Sequence, residues 1–496
     1  MAPSTGPAVL LPEPGDDISW LLPELDNFVS GPDMDSTVFG TLSSALWDRS
    51  SLTPPPILEM ELPTAGLLSS LPSLIEITET EREALDYYQK GDGFGFASKL
   101  PAWSTHAILM ETATRNPAVL HLLLAASLAE VAWRNPSHCS MFTSSGRHYE
   151  LGRRLLADEL ADPEADPLVI MPCFWFLCLH QRRRQSGLRI PYPELSRLMH
   201  DYLSGCQLHR LLASVSLGGE TPNVKPRARS LSSAHSRALL ARLAVWLFWA
   251  DSQSCFQGEG GNMAQLLSQS ITATGIFAMH ETSRDTLQLH WGNGYPDDQL
   301  EDDLANASAL ELLHSTWALV QEINEAAEAY PMDNEKARDL RNRLESIQRK
   351  FPVSSVFRLT ESPSRTRNRL MANSDWAVAN YHAVSIYLAR CSLAEEHFPF
   401  RSDEGLEILD TAATLLLLIQ KTLATDDRVQ TERMQWPLFW VGLETTDEFK
   451  QMWILSKLNH RVLRDALVKI FLEQSGQVRI GMGRVREICR VVCTSG

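Results

Sequence analysis

At 496 residues with 44% apolar side chains, the chain holds enough material for one large core or two. A formal net charge of −16 argues against a broad nucleic-acid-binding surface, which would be basic. The charge is uneven, since residues 1–72 carry ten acidic side chains against one basic one, Arg49.

Residues 1–72 also hold eleven of the 27 prolines. Text of this kind cannot bury enough surface to fold alone. Residues 1–76 are therefore expected to form a disordered acidic segment, and residues 77–496 a helical domain. Within the segment, Trp20, Leu21, Leu22, Leu25 and Phe28 form an apolar island flanked by Asp16, Asp17, Glu24 and Asp26. Bulky residues among acidic neighbours are the pattern of activation segments, which fold into a partner's groove as a short helix. A plain tail docked on its own domain is the other reading.

From Thr78 the text turns helical. Thr78 and Glu81 make a capping box. Gly91, Gly93 and Gly95 read as a turn; no strand precedes them, as a dinucleotide loop would require. Asn116-Pro117 and Asp166-Pro167 each place a cap before a proline in the first helical turn. They open the apolar runs 118–133 and 168–184, with Pro172 a kink in the second. A more amphipathic helix over 146–160 lies between them, with Tyr149, Leu155 and Leu156 inward. His180, Arg182, Arg183 and Arg184 at the second run's end suit the helix dipole; a phosphate patch is the lesser alternative. Residues 216–236 read as a linker, whose Lys225, Arg227 and Arg229 offer a weak nuclear-import tract.

Residues 238–250 are apolar except for Arg242, and Asp251 follows. A helix apolar on all faces is surrounded by protein or lipid. Thirteen residues are too few for a bilayer, which needs about 20. This stretch is expected to be the central helix, stopped by Gly258, Gly260 and Gly261. Its rings Trp246, Phe248 and Trp249 ordinarily pack in a core; lining a ligand pocket is their alternative use.

Residues 281–303 read as an acidic loop without EF-hand spacing. Helices are expected over 309–329, 334–350, 374–397 (capped by Asn373 or Ser374), 402–423 and 447–472, the last with Phe449, Met452 and Trp453 inward. No stretch sustains period-2 alternation, so the fold is expected to be all-α.

Eight cysteines include no CxxC pair, and neither a signal peptide nor a transmembrane segment is legible. This points to a reducing compartment. GxSxG, HExxH and P-loop motifs are absent. Glu395, Glu396 and His397 point to different helical faces, and Cys489 and Cys493 lack companion ligands. No catalytic residue, metal set or cofactor site is expected.

Three places together carry a resemblance. The first is Asn116-Pro117 and its apolar helix, continuing to His148-Tyr149, Leu155-Leu156 and Asp166-Pro167. The second is 241–261, with Trp246, Trp249, Asp251, Phe256 and the glycines. The third is Trp436-Pro437-Leu438-Phe439 with Gly442, Glu444 and Trp453. Over residues 77–472 the chain resembles the regulatory, fungal-specific transcription factor domain of zinc-binuclear-cluster regulators. In that family a six-cysteine zinc module reads DNA. Residues 1–138 contain no cysteine, so the chain as given is expected to make no direct nucleic-acid contact, and with no transmembrane segment legible no membrane contact is expected either. The resemblance implies a regulatory scaffold in the nucleus, or alternatively the cytoplasm. Its partners would be a DNA-bound transcription factor or the transcription machinery, with a small-molecule effector held in an aromatic pocket. Trp246, Trp249, Phe256, Trp436 and Trp440 are the candidate lining. The alternative is a helical enzyme or metabolite-binding protein recruited from this fold. A dry core around Trp246 and Trp249 would favour the regulator; convergent ionisable groups there would favour the alternative.

Overall fold

The computed structural model describes residues 77–90, 99, 101–162, 164–183, 191–214, 233–270, 273–328, 332–351, 369–393, 397–399, 403–424, 428–474 and 478–495. The acidic segment, the glycine turn, Arg184, the linker through residue 232 with Lys225, Arg227 and Arg229, Glu395 and Glu396 lie outside them; the last three residues of the expected linker, 234–236, instead belong to the central helix, which Ser233 caps.

Local sequence sets the first helices. Thr78 and Glu81 form the capping box of α1 (Glu79–Gln89). Helix α2 spans Thr105–Arg115. Asn116 accepts from the Ala118 and Val119 amides and opens α3 (Pro117–Arg134). This helix is long and apolar enough to cross a membrane, yet α1, α4 (Ser140–Ala161) and α5 (Pro167–Gln181) pack around it as a core. Asp166 caps α5, which carries Pro172 in its interior and is buried on nearly every face. Helices α6 (Tyr192–Gly205) and α7 (Leu208–Ser214) follow.

The central helix is α8 (Ala234–Phe256), packed by α5, α9 (Asn262–Ser270), α10 (Ala273–Arg284), α11 (Thr286–Trp291) and α12 (Asp297–Ala326). Neighbours on all sides explain why its apolar residues show no preferred face. The chain leaves α8 through Gly258, Gly260 and Gly261, all at positive φ, a backbone region that glycine alone enters freely. The bend brings Asp251 onto α9, where its carboxylate accepts from the Gly261 and Ala264 amides at 3.1 and 2.9 Å.

The expected acidic loop is instead helical. Asp297 and Asp298 occupy the first turn of α12, just after Pro296, and their charge favours a helix N-terminus. Helix α13 (Asn334–Lys350) matches expectation. Helix α14 (Arg369–Ser392) begins before Asn373 and Ser374, which are buried inside it rather than capping it. Asn373 donates to Asn306 of α12 at 2.6 Å. The helix ends at Ser392, and His397 belongs to the short strand β1 (His397–Pro399).

Helices α15 (Asp403–Leu423) and α16 (Arg428–Arg433) lead to α17 (Gln435–Glu444), every residue of which is buried. The single long helix expected over 447–472 is two, α18 (Glu448–Lys457) and α19 (Arg461–Glu473). Gln435 closes the break: its Oε1 accepts from the Asn459 and His460 amides at 2.5 and 2.8 Å, and its Nε2 donates to Lys457 O at 3.0 Å. His460 then caps α19. With the register broken, Phe449 and Met452 turn outward; Phe449 is 86% exposed. Strand β2 (Val478–Ile480) pairs antiparallel with β1, and α20 (Met482–Ser495) closes the described chain. With twenty helices and two three-residue strands among the described residues, the fold is all-α.

Candidate ligand cavity beside the central helix

Helix α8 places Trp246 and Trp249 one turn apart, with Arg242 one turn before Trp246. All three line a cavity of about 150 Å³ walled by α2, α10, α11, α12 and α14, with the exposed Arg284 and Asp285 among its lining residues. Arg242, the only charge in the apolar run, is turned into this space. Its Nε donates to Ser283 O and its Nη1 to Thr105 Oγ1, both at 3.0 Å. Burial pulls the guanidinium down to about 10.

Opposite stands a polar cluster. Lys99 Nζ meets Asp303 Oδ1 at 2.6 Å and Gln299 O at 2.9 Å, and lies 4.9 Å from the Tyr295 ring centre. Tyr295 donates to Asp303 Oδ2 at 2.6 Å. Arg369 pairs with Asp302 and, at 3.3 Å, with Asp303. Burial lowers Lys99 to about 8 against the opposing pull of Asp303, and lowers Arg369 to about 10.

His106 and His280 also line the cavity, and His314 packs on His280 outside the lining. His280 stacks on His314 at 4.5 Å, and Trp249 Nε1 donates to His314 Nδ1 at 3.2 Å, so that nitrogen is the unprotonated one. His106 stacks on Trp246 and contacts the Tyr88 hydroxyl at 3.1 Å. Burial holds His106 and His314 at about 4 and His280 well below its usual range, so all three are neutral at pH 7.

Trp249 and Trp376 meet edge to face at 6.2 Å and form a wall. Behind it lies a second space of about 40 Å³ bordered by Trp317, Trp436, Arg433 and His460. Arg433 covers the Trp376 ring at 4.7 Å. Arg182 and Arg183 border this space too, and Arg183 is an ion-pair centre, bound to Glu130 at 2.5 Å and Glu432 at 2.9 Å.

Of the five aromatic residues singled out in the sequence, Trp246 and Trp249 line the cavity beside α8, and Trp249 and Trp436 the space behind it. Phe256 and Trp440 pack on each other at 5.1 Å, with Tyr387 and Phe439, and border neither. The activation candidates Trp20, Leu21, Leu22, Leu25 and Phe28 lie outside the described residues. Among these, His, Cys, Asp and Glu form no group of three able to hold a metal. Sequence reasoning missed Lys99, Asp303 and Arg369, which no local pattern joins. Arg242 carries a signal of its own, a charge inside an apolar run.

The chain is thus an all-α protein whose central helix borders a polar, aromatic cavity. The family described as the fungal specific transcription factor domain matches residues 104–466, and the chain belongs to that family. Its role is accordingly transcription-regulator-like, with transcription machinery or DNA-bound factors as the implied partners and the nucleus as the implied compartment. No curated protein and no solved structure matches the chain.

Proposed function

We propose that the chain is a transcription regulator whose helical domain, residues 77–496, is a scaffold responsive to a small molecule, and whose residues 1–76 contact the transcription machinery. The observation that carries this reading is the cavity beside α8, where Trp246 and Trp249 stand with Arg242, Lys99, Asp303 and Arg369 rather than in a dry core. Apolar walls with a few convergent polar groups are the usual make-up of small-molecule sites. These convergent ionisable groups favour metabolite binding over a dry-cored scaffold, and the two readings meet in a regulator that binds a metabolite.

The test is a thermal-shift screen of the full chain against fractionated small metabolites. At least one fraction is expected to raise the midpoint of the parent and to leave Trp246→Ala unmoved. Equal shifts in both would remove the cavity from the proposal. Residues 1–76 fused to an unrelated DNA-binding domain should activate a reporter; silence would count against their assigned role.

A second reading, an enzyme recruited from the fold, has one observation in its favour. Lys99 is held at about 8, against Asp303 and Tyr295, near the pH where an amine exchanges its proton. Turnover of any bound metabolite that is lost in Lys99→Met would establish it.

A further inference from the structure

We infer that the cavity beside α8 takes a small carboxylate carrying one planar ring, its anionic end on Arg242 and its ring against Trp246, Trp249 and Trp376. This rests on the small-molecule reading above and names the ligand's class.

Charge comes first. The lining holds four cationic side chains, Lys99, Arg242, Arg284 and Arg369, to two carboxylates, Asp285 and Asp303. Lys99 and Arg369 share Asp303, and Arg369 also has Asp302. Arg284 and Asp285 are exposed. Arg242 differs. Its two hydrogen bonds go to neutral oxygens of Ser283 and Thr105, and among the described residues no carboxylate is paired with it. Asp303 and Asp285 act on it only through longer-range attraction. A half-buried guanidinium whose hydrogen bonds reach only neutral oxygens calls for a counter-charge. Its planar fork matches a carboxylate, and two of its nitrogens are already fixed by α2 and α10, so little ordering remains to be done on binding. Flanking His106 and His280 are neutral and neither repel nor replace an anion.

Shape comes second. A space of about 150 Å³ is the room of a single benzene-sized ring. Trp246, Trp249 and Trp376 supply flat apolar walls. Arg433 lies over Trp376, so at least one of its faces is already occupied on the far side of the wall.

Three one-ring probes of similar size, anionic, neutral and cationic, separate the ideas in the full chain by calorimetric titration: benzoate, benzamide and benzylamine. Benzoate is expected to bind at least about tenfold more tightly than either other probe, the equivalent of one charge-assisted contact. Arg242→Gln should erase that preference, and Arg242→Lys should retain part of it. Should Arg242→Gln fail to fold, the discrimination among probes by the parent decides alone. Equal binding of benzamide or benzylamine overturns the anion assignment and leaves the small-molecule reading standing. Failure of all three to bind overturns the ring-carboxylate assignment, and the thermal-shift screen then decides the small-molecule reading by itself.

Discussion

Trp249 and Trp246 share a helix but not an environment. Trp249 is 5% exposed, donates to His314 and packs edge-on against Trp376. Trp249→Ala removes a buried ring and should cost about 3–5 kcal/mol, read as a lowered denaturant midpoint. Trp246 is half-buried and borders the cavity, with Trp175 at 4.9 Å behind it. Trp246→Ala should therefore destabilise markedly less while weakening ligand binding; two equal losses of stability would mean the cavity wall is ordinary core. The rings were legible in the sequence because a run without polar residues has nowhere to put them but inside. The polar half of the cavity was not, since Lys99 and Asp303 meet across 204 residues.

At the scale of elements, capping chemistry made the starts of α1, α3 and α5 readable, because each is written within four residues. The break between α18 and α19 was not readable. Its amides are satisfied by Gln435, 24 and 25 residues earlier, and the apolar pattern runs on across it. Gln435→Ala would remove the partner that both of these part-buried amides share, at about 0.5–1.5 kcal/mol. Hydrogen exchange at Asn459 and His460 should accelerate; unchanged protection there would show that the break is held by something else. Gly442 is where α17 and α19 touch. A methyl group on it would overlap the Leu467 side chain. Gly442→Ala should therefore force the two helices apart at about 1–3 kcal/mol, visible in the thermal midpoint.

Across the whole molecule, burial holds several histidines neutral: His106, His314 and His382 at about 4, His460 at about 3. Each lies below the roughly 6.5 of an unfolded histidine. The unfolded chain therefore takes up more protons in this window, and the stability involved is present in full above about pH 6.5. It is lost progressively as the pH falls from there towards about 4. Melting curves at constant ionic strength should show the midpoint dropping between pH 7 and pH 5; a flat profile would mean the imidazoles are solvated. The helical class was legible at this scale, since no period-2 text exists to build a sheet. The two short strands escaped notice because three residues carry no period.

One buried cluster has a consequence for how fast the molecule comes apart. Glu444 at the end of α17 binds Arg390 of α14 at 2.6 Å and Arg479 of β2 at 3.0 Å, all three buried. Arg390 also donates to Ile480 O, 90 residues away in the chain. Contacts that close such long loops are rewarded only after the closure entropy has been met, so they form late on the way to the native state. A late contact restrains escape rather than guiding entry. Glu444→Gln should thus multiply the unfolding rate while leaving the refolding rate almost unchanged. The cluster would then set the protein's lifetime in the folded state more than its speed of reaching it.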